Sequence, residues 1–443
     1  MGTPLFVVVH LEQLVLEVDR LAEVAARPNH PALGAASHLD LFESDRIGAK
    51  KDVECGGAWG NFDRRLSQGR RYRQELEAES TIPSEAQHWT SIPLRFGRSQ
   101  RASSDKRMAT DSPYLAARGA AALLDLTDRG RLLVTGADSA SYLQGLLTND
   151  IEALKTGQGC YAAHLTPQGR MITDMGVMRL GDGILLDVDD SVTDMLRDRL
   201  EEFIFAEEVT VDDRSRIWTS LACCGPEAAG LLADLLDREG GLDAEQLQAL
   251  AEYAHVAAKA DGVDVVVAAT SAFGVPGFIL YLETEAGRAL VECLAERGAA
   301  RLSADDADLL RIEAGRPKFP AELGPDVIPL EAGIENRAIS MTKGCYVGQE
   351  VIVRILHRGG GRVARCLVGL RFDDEAEAGV LLVADGGEAG PDTVGSVTSV
   401  ARTAGDGSRI GLGYVKRELA EVGTRLRTVE AGHGVTVAAL PFT

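Results

Sequence analysis

Two patterns divide this chain. From about residue 108 onward, short β-branched apolar runs alternate with stretches whose apolar residues recur at helical spacing. Before that, Leu5 to Val24 has the spacing of an amphipathic helix, and the polar, Arg-rich sequence after it holds no period for long. Arg98 to Arg107 is basic and Ser-containing, which suits a disordered linker. Met108 stands at the start of the patterned region. The upstream part reads either as a misassigned extension of the reading frame or as a real, poorly ordered arm. Mass spectrometry of the native protein separates the two, because peptides from before residue 108 exclude the first.

The patterned region predicts strands within Leu123 to Thr135, at Tyr161 to Leu165, Met171 to Arg179, Ile184 to Val188 and Ile217 to Cys223. Pro167-Gln168-Gly169 reads as the turn between the second and third of these. Helices are predicted at Ser139 to Leu147 (N-capped by Asp138 or Ser139), Ser191 to Phe203, Pro226 to Asp237, Glu285 to Arg297 and Asp305 to Glu313. Val265 to Leu282 is uncharged and long enough to suggest a membrane span, but Gly274, Pro276 and Gly277 break it into two buried strands around a turn. Strands dominate after Val363: Ala364 to Leu370, Gly395 to Val400, Arg409 to Val415, Arg425 to Thr428 and Val435 to Ala439. Their spacing and turn glycines suggest a small closed β-barrel. The expected organisation is an extension over 1–107, an α+β region over 108–358 with sheets covered on one face, and a barrel over 359–443.

Composition narrows the class. A length of 443 residues allows two or three cores, and 45% hydrophobic with 26% charged residues is ordinary for a globular protein. The net charge of −21 opposes attraction to a nucleic-acid backbone, leaving a local basic group at Lys343, Arg354, Arg358, Arg362 and Arg365. Seven scattered cysteines without zinc-type spacing suit a reducing cytoplasm. The N-terminus shows no signal-peptide pattern.

Lys343-Gly344-Cys345-Tyr346-Val347-Gly348-Gln349-Glu350 concentrates the candidate chemistry. A cation beside a thiol favours the thiolate, the form that attacks, ligates metal or is oxidised. Val351-Ile352-Val353 reads as the start of a strand, which puts the thiol on a loop. The competing reading is a buried structural cysteine. Cys160, Cys223, Cys224, Cys293 and Cys366 lie in apolar or strand contexts and read as structural. His357-Arg358-Gly359-Gly360-Gly361-Arg362 reads as an anion cradle or as a flexible link, the link being preferred.

The octapeptide resembles the K-G-C-[YF]-x-G-Q-E signature of the YgfZ-type folate-binding proteins, relatives of the glycine-cleavage T-protein (aminomethyltransferase) family. Val134-Thr135-Gly136-Ala137-Asp138, Tyr142-Leu143-Gln144-Gly145, Leu147-Thr148-Asn149-Asp150, Arg311-Ile312-Glu313-Ala314-Gly315 and Pro329-Leu330-Glu331-Ala332-Gly333 are similar to that family's other motifs, in order, over about residues 118 to 441. The resemblance implies a T-protein-like folate-binding fold of ferredoxin-like α/β subdomains with a C-terminal barrel. It implies Cys345 as the working thiol, Lys343 as its activator and Asp150 as a pocket carboxylate. Tetrahydrofolate contacts are then expected from Asp150, Arg311, Glu313, Tyr346, Gly348, Gln349 and Glu350, with Arg311 also readable as a solvated helix face. Glu331 and Glu335 are expected near the entrance.

The implied function is assembly or repair of iron–sulfur clusters in client enzymes, including radical enzymes that thiomethylate tRNA, without direct nucleic-acid or membrane binding. One cysteine does not hold such a cluster alone, so Cys345 would be a transient ligand and no metal would be stably bound. The competing readings are an aminomethyltransferase or other folate-dependent one-carbon enzyme, and a non-catalytic folate-binding module. Aminomethyltransferases of the family carry a folate-contacting Arg where this chain has Ala307, and a pterin-binding Glu where the Ser271 to Ile279 segment has an apolar residue. An altered, weaker folate pocket is therefore expected.

Overall fold

The computed structural model describes residues 112–238, 241–385 and 393–442. The expected helix at Leu5 to Val24 and the linker at Arg98 to Arg107 lie outside them. The chain runs through α1 (Pro113–Gly119), β1 (Ala122–Asp125), β2 (Arg129–Thr135), α2 (Ser139–Leu146), β3 (Gly159–Leu165), β4 (Met171–Arg179), β5 (Ile184–Asp189), α3 (Thr193–Glu202), β6 (Thr210–Asp213) and β7 (Trp218–Cys224). It continues with α4 (Ala228–Ala233), α5 (Ala244–Gln248), β8 (His255–Ala260), β9 (Val263–Thr270), β10 (Gly277–Glu283), α6 (Thr284–Glu296), β11 (Ala300–Arg301), α7 (Ala304–Glu313), α8 (Glu335–Ala338) and α9 (Gln349–His357). Six strands finish it: β12 (Arg365–Phe372), β13 (Leu381–Ala384), β14 (Gly395–Arg402), β15 (Arg409–Lys416), β16 (Arg425–Thr428) and β17 (Gly434–Ala438).

These strands form a five-stranded sheet in the order β3-β4-β5-β2-β6, a six-stranded sheet in the order β11-β1-β7-β10-β9-β8, and a closed barrel β12-β15-β14-β13-β16-β17. The α+β class and the C-terminal barrel are as the pattern predicts. The uncharged run becomes the β9–β10 hairpin, paired from Gly277 with Thr270 to Leu282 with Val265. Among the described residues no helix is long and apolar enough to cross a membrane. The strands predicted within Leu123 to Thr135 fall in different sheets: β1 joins the six-stranded sheet and β2 the other.

Alternation along β2 shows how the layers meet. Leu132 and Val134 pack with α2 and α3 around Leu143 and Leu196, while Leu133 turns the other way onto Leu185, Ala268 and Tyr281. Each sheet thus has helices on one face, and the remaining faces meet each other. Full burial of one such leucine is worth about 1.5–3 kcal/mol. The seam also holds Arg131, fully buried, which donates to Ser220 Oγ (2.9 Å), Ser215 O (2.9 Å), Thr127 O (3.0 Å) and Leu126 O (3.3 Å). Those acceptors come from the β1–β2 crossover and from β7 and the turn before it, so one side chain ties the two sheets together at the point where the chain changes sheet.

Candidate active site

The loop from Ile339 to Gly348 carries the octapeptide, and Cys345 lies on it, exposed. The prediction of a loop thiol holds, and the buried structural reading does not. The predicted strand at Val351 to Val353 is instead helix α9. Gly348 explains the change. Its backbone is left-handed (φ 84°), and a Cβ there would sit 2.5 Å from Thr166 O, so only glycine makes this entry into the helix. Ile352, Ile355 and Leu356 then fall on one helical face against the cluster around Tyr346 and Leu165. Gln349 and Glu350 open the helix, with Glu350 exposed. Beyond α9, Gly360 and Gly361 take left-handed turns before the barrel strand β12.

Lys343 is buried, and its ammonium donates to Gln144 O (2.6 Å), Leu147 O (2.6 Å) and Asn149 O (2.9 Å). All three of its hydrogens are directed at carbonyls around the end of α2, which is where the activator expected for Cys345 spends its charge. It also lies 5.0 Å from the Tyr346 ring centroid. Burial pulls its pKa down to about 8, opposed by the negative charge of nearby Asp150.

The residues after α2 are stitched in place side chain by side chain. Thr148 Oγ1 donates to Ala338 O (2.6 Å) and accepts from Ala163 N–H (2.9 Å). Asn149 Nδ2 donates to Tyr161 O (2.8 Å) and Arg337 O (3.0 Å). Asp150 Oδ1 accepts from Gln144 Nε2 (3.0 Å) and Ala153 N–H (3.3 Å). The protein's hydrogen bonds to this carboxylate thus fall on one oxygen, leaving Oδ2 for a ligand. Asp150 and Lys343, expected in separate roles, lie together at the end of one short helix, with the Lys343 ammonium on backbone carbonyls there.

Next to them Tyr161 of β3, in one sheet, meets Tyr253, just before β8 of the other. The rings of Tyr161 and Tyr253 stack, 6.2 Å between centroids and 8° from parallel. Gly159 and Gly176 make room, since a Cβ on either would lie within 2.9 Å of the Tyr253 side chain. Tyr161 donates to Asp174 (2.8 Å), a carboxyl that burial holds above its usual range. The Arg337 guanidinium lies 4.9 Å from the Tyr161 centroid and donates to Glu252 Oε1 (2.6 Å). Ser271 Oγ donates to Glu252 Oε1 (2.6 Å) and accepts from Arg316 Nη2 (3.0 Å). Burial opposes ionisation of Glu252, yet the hydrogen bonds from Arg337 and Ser271 hold its pKa below normal. Tyr161, Tyr253, Glu252, Arg316 and Arg337 carried no motif in the sequence. The signal within reach was Arg316, one residue after the Glu-Ala-Gly motif.

Two expected folate contacts lie elsewhere. Arg311 is not a solvated helix residue. It is buried, and it pairs with Glu322 (2.7 Å) and Asp308 (3.1 Å) and donates to Ser399 Oγ (2.7 Å) on the barrel. Glu313 accepts from Tyr114 (2.8 Å) and from Arg118 (2.5 Å), joining α7 to α1. Glu331 is buried and pairs with Arg365 (3.2 Å) of the barrel, while Glu335 keeps one buried oxygen without a protein partner. Arg311, Glu313 and Glu331 thus fasten layers together.

Comparison with known proteins places this architecture. A model of the GCVT N-terminal domain matches residues 73–343, beginning upstream of the motifs noted from residue 118, and one of the glycine cleavage T-protein C-terminal barrel domain matches residues 365–443. The chain belongs to the glycine cleavage T-protein family. An aminomethyltransferase of Rubrobacter xylanophilus is 31% identical over 74% of this chain and 84% of its own length. One from Streptomyces coelicolor is 30% identical over 79% and 91%. A putative chloroplastic transferase of Arabidopsis thaliana is 29% identical over 72% and 71%. The crystal structure of the glycine cleavage system aminomethyltransferase T of Bartonella henselae covers 75% of this chain and 88% of that one, with TM-score 0.65 and 25% identity. Ala307, where the resemblance expects a folate-contacting Arg, is buried in α7, and Ile279, in the segment where it expects a pterin-binding Glu, is half-buried in β10.

Proposed function

We propose that this T-protein relative binds a reduced folate where its two sheets meet and acts on the one-carbon unit that such a ligand carries. The observation that carries this reading is the cluster of aromatic and charged side chains where the two sheets meet. Stacked aromatic rings adjoin Arg337, the ionised Glu252 and an Asp150 carboxylate with one oxygen free of protein donors. A flat heterocycle with amine and amide edges needs such faces and paired polar groups. Asp150 would accept a hydrogen bond from an amine of the ligand and stabilise positive charge developing there. Lys343 holds the end of α2, and through it the Asp150 loop, in place. The family's aminomethyltransferases support the assignment of chemistry. Tetrahydrofolate titration and aminomethyl-transfer assays test it. Asp150→Asn should lower transfer by about 10²-fold or more while Cys345→Ala leaves it intact; no folate binding by the wild type would end the reading.

A second reading is favoured by a different observation. Cys345 is the exposed thiol among the described cysteines, the others being buried or half-buried. With the octapeptide signature and the missing family anchors, this supports a YgfZ-type, folate-linked factor that assembles or repairs iron–sulfur clusters in client enzymes of a reducing cytoplasm. Here the expected outcome reverses. In a strain lacking its own such protein, Cys345→Ala should fail to restore iron–sulfur enzyme activity under oxidative stress. Equal rescue by wild type and variant contradicts this reading.

A further inference from the structure

The cluster around Tyr161 and Tyr253 holds an imbalance of charge. Arg316 and Arg337 are both half-buried; Arg337 and Glu252 are the charged groups that bear most on Arg316, and Glu252 is the one that bears most on Arg337. Two guanidiniums therefore share one carboxylate. Arg337 places Nη2 and Nε on Glu252 at 2.6 and 3.4 Å. Arg316 reaches this group through Ser271, using Nη2 alone; its Nε and Nη1 make no hydrogen bond to the described protein. The other carboxyl nearby, Asp174, is buried behind Tyr161. A free guanidinium edge beside a second cation, in a partly desolvated site, is a receptor for an anion with two coplanar oxygens.

We propose that Arg316 and Arg337 form a carboxylate subsite of this cluster, and that it takes a glutamyl carboxylate of the reduced folate. This rests on the folate-binding reading and adds what that reading does not contain: a charged anchor at positions where the sequence shows no family motif. It offsets the two polar anchors lost at Ala307 and in the Ser271 to Ile279 segment. Glu252 acts as the counter-charge that keeps Arg337 in place without neutralising Arg316.

The test compares tetrahydrofolate with its diamide, in which both tail carboxylates are neutral, by calorimetric titration of the full chain. The wild type should favour the acid by about 10- to 100-fold, as expected for a charge-assisted hydrogen-bonded pair. Arg316→Gln should reduce that preference below about threefold, weakening the acid more than the diamide, and Arg316→Lys should restore part of it. Glu252→Gln should increase the preference, the opposite of what loss of a structural contact would do. Equal wild-type affinity for acid and diamide overturns the subsite while folate binding stands. If the wild type binds neither form, the folate reading fails, and the subsite is judged with p-aminobenzoylglutamate alone. A rise in melting temperature that Arg316→Gln abolishes supports the subsite, and no rise overturns it.

Discussion

Two arginine clusters, five residues apart in sequence, do opposite things. Around Arg311, every charge is matched: its guanidinium meets Glu322 and Asp308, Glu322 also accepts from Thr398, Ser399 and the Lys318 backbone, and Lys318 pairs with Asp308. The Glu322 side chain is 0% exposed. Around Arg316, two guanidiniums share one carboxylate and both remain partly open to solvent. A closed, balanced network is a clamp, here between α7, the segment after it and the barrel. An open, unbalanced one is a place where a ligand completes the set. Buried charge alone does not identify a functional site; an unmet hydrogen-bonding edge does.

The largest expected effect breaks the clamp. Arg311→Ala leaves Glu322 buried without its counter-ion and should cost about 3–5 kcal/mol in urea unfolding. Arg316→Ala removes one hydrogen bond from a half-exposed side chain and should cost about 1 kcal/mol or less. Similar losses for the two would erase the distinction between clamp and site.

The closed interior has a pH signature of its own. His164 is buried, hydrogen-bonded through Nδ1 to Leu146 O (3.2 Å), and burial pulls its pKa down to about 4. The fold therefore prefers the neutral ring. Its contribution is fully present above pH ~6.5, the unfolded value, and is lost as pH falls from there towards the folded value, in total about 3 kcal/mol. Melting temperature followed from pH 7.5 to 4.5 should fall less steeply for His164→Asn than for the wild type, at pH values chosen to span that window. Parallel curves would assign the acid sensitivity to other groups.

The smallest effect belongs to the exposed loop. Cys345→Ala should shift stability by no more than about 0.5 kcal/mol, because the thiol packs against little. A larger loss would return Cys345 to a structural role.

Much of the fold was legible in the sequence because period and turn chemistry agreed. The β9–β10 hairpin followed from glycine and proline inside an apolar run, and the barrel from short strands separated by glycine turns. Val351-Ile352-Val353 misled because β-branched residues favour strands locally, while Gly348 and the packing of Ile352 decide for helix. Arg311 misled because helix periodicity does not reveal that the barrel closes over that face. Asp150 and Lys343 were found through motifs. Glu252 and Arg337 were not, because they meet only once β8, β9 and α8 are brought beside β3.

The most direct test of the account is calorimetric titration of tetrahydrofolate into three proteins side by side: wild type, Arg316→Gln and Cys345→Ala. The account predicts equal binding by wild type and Cys345→Ala, and binding weakened about tenfold or more in Arg316→Gln. Binding lost in Cys345→Ala but kept in Arg316→Gln would move the ligand away from the Arg316 cluster and contradict it.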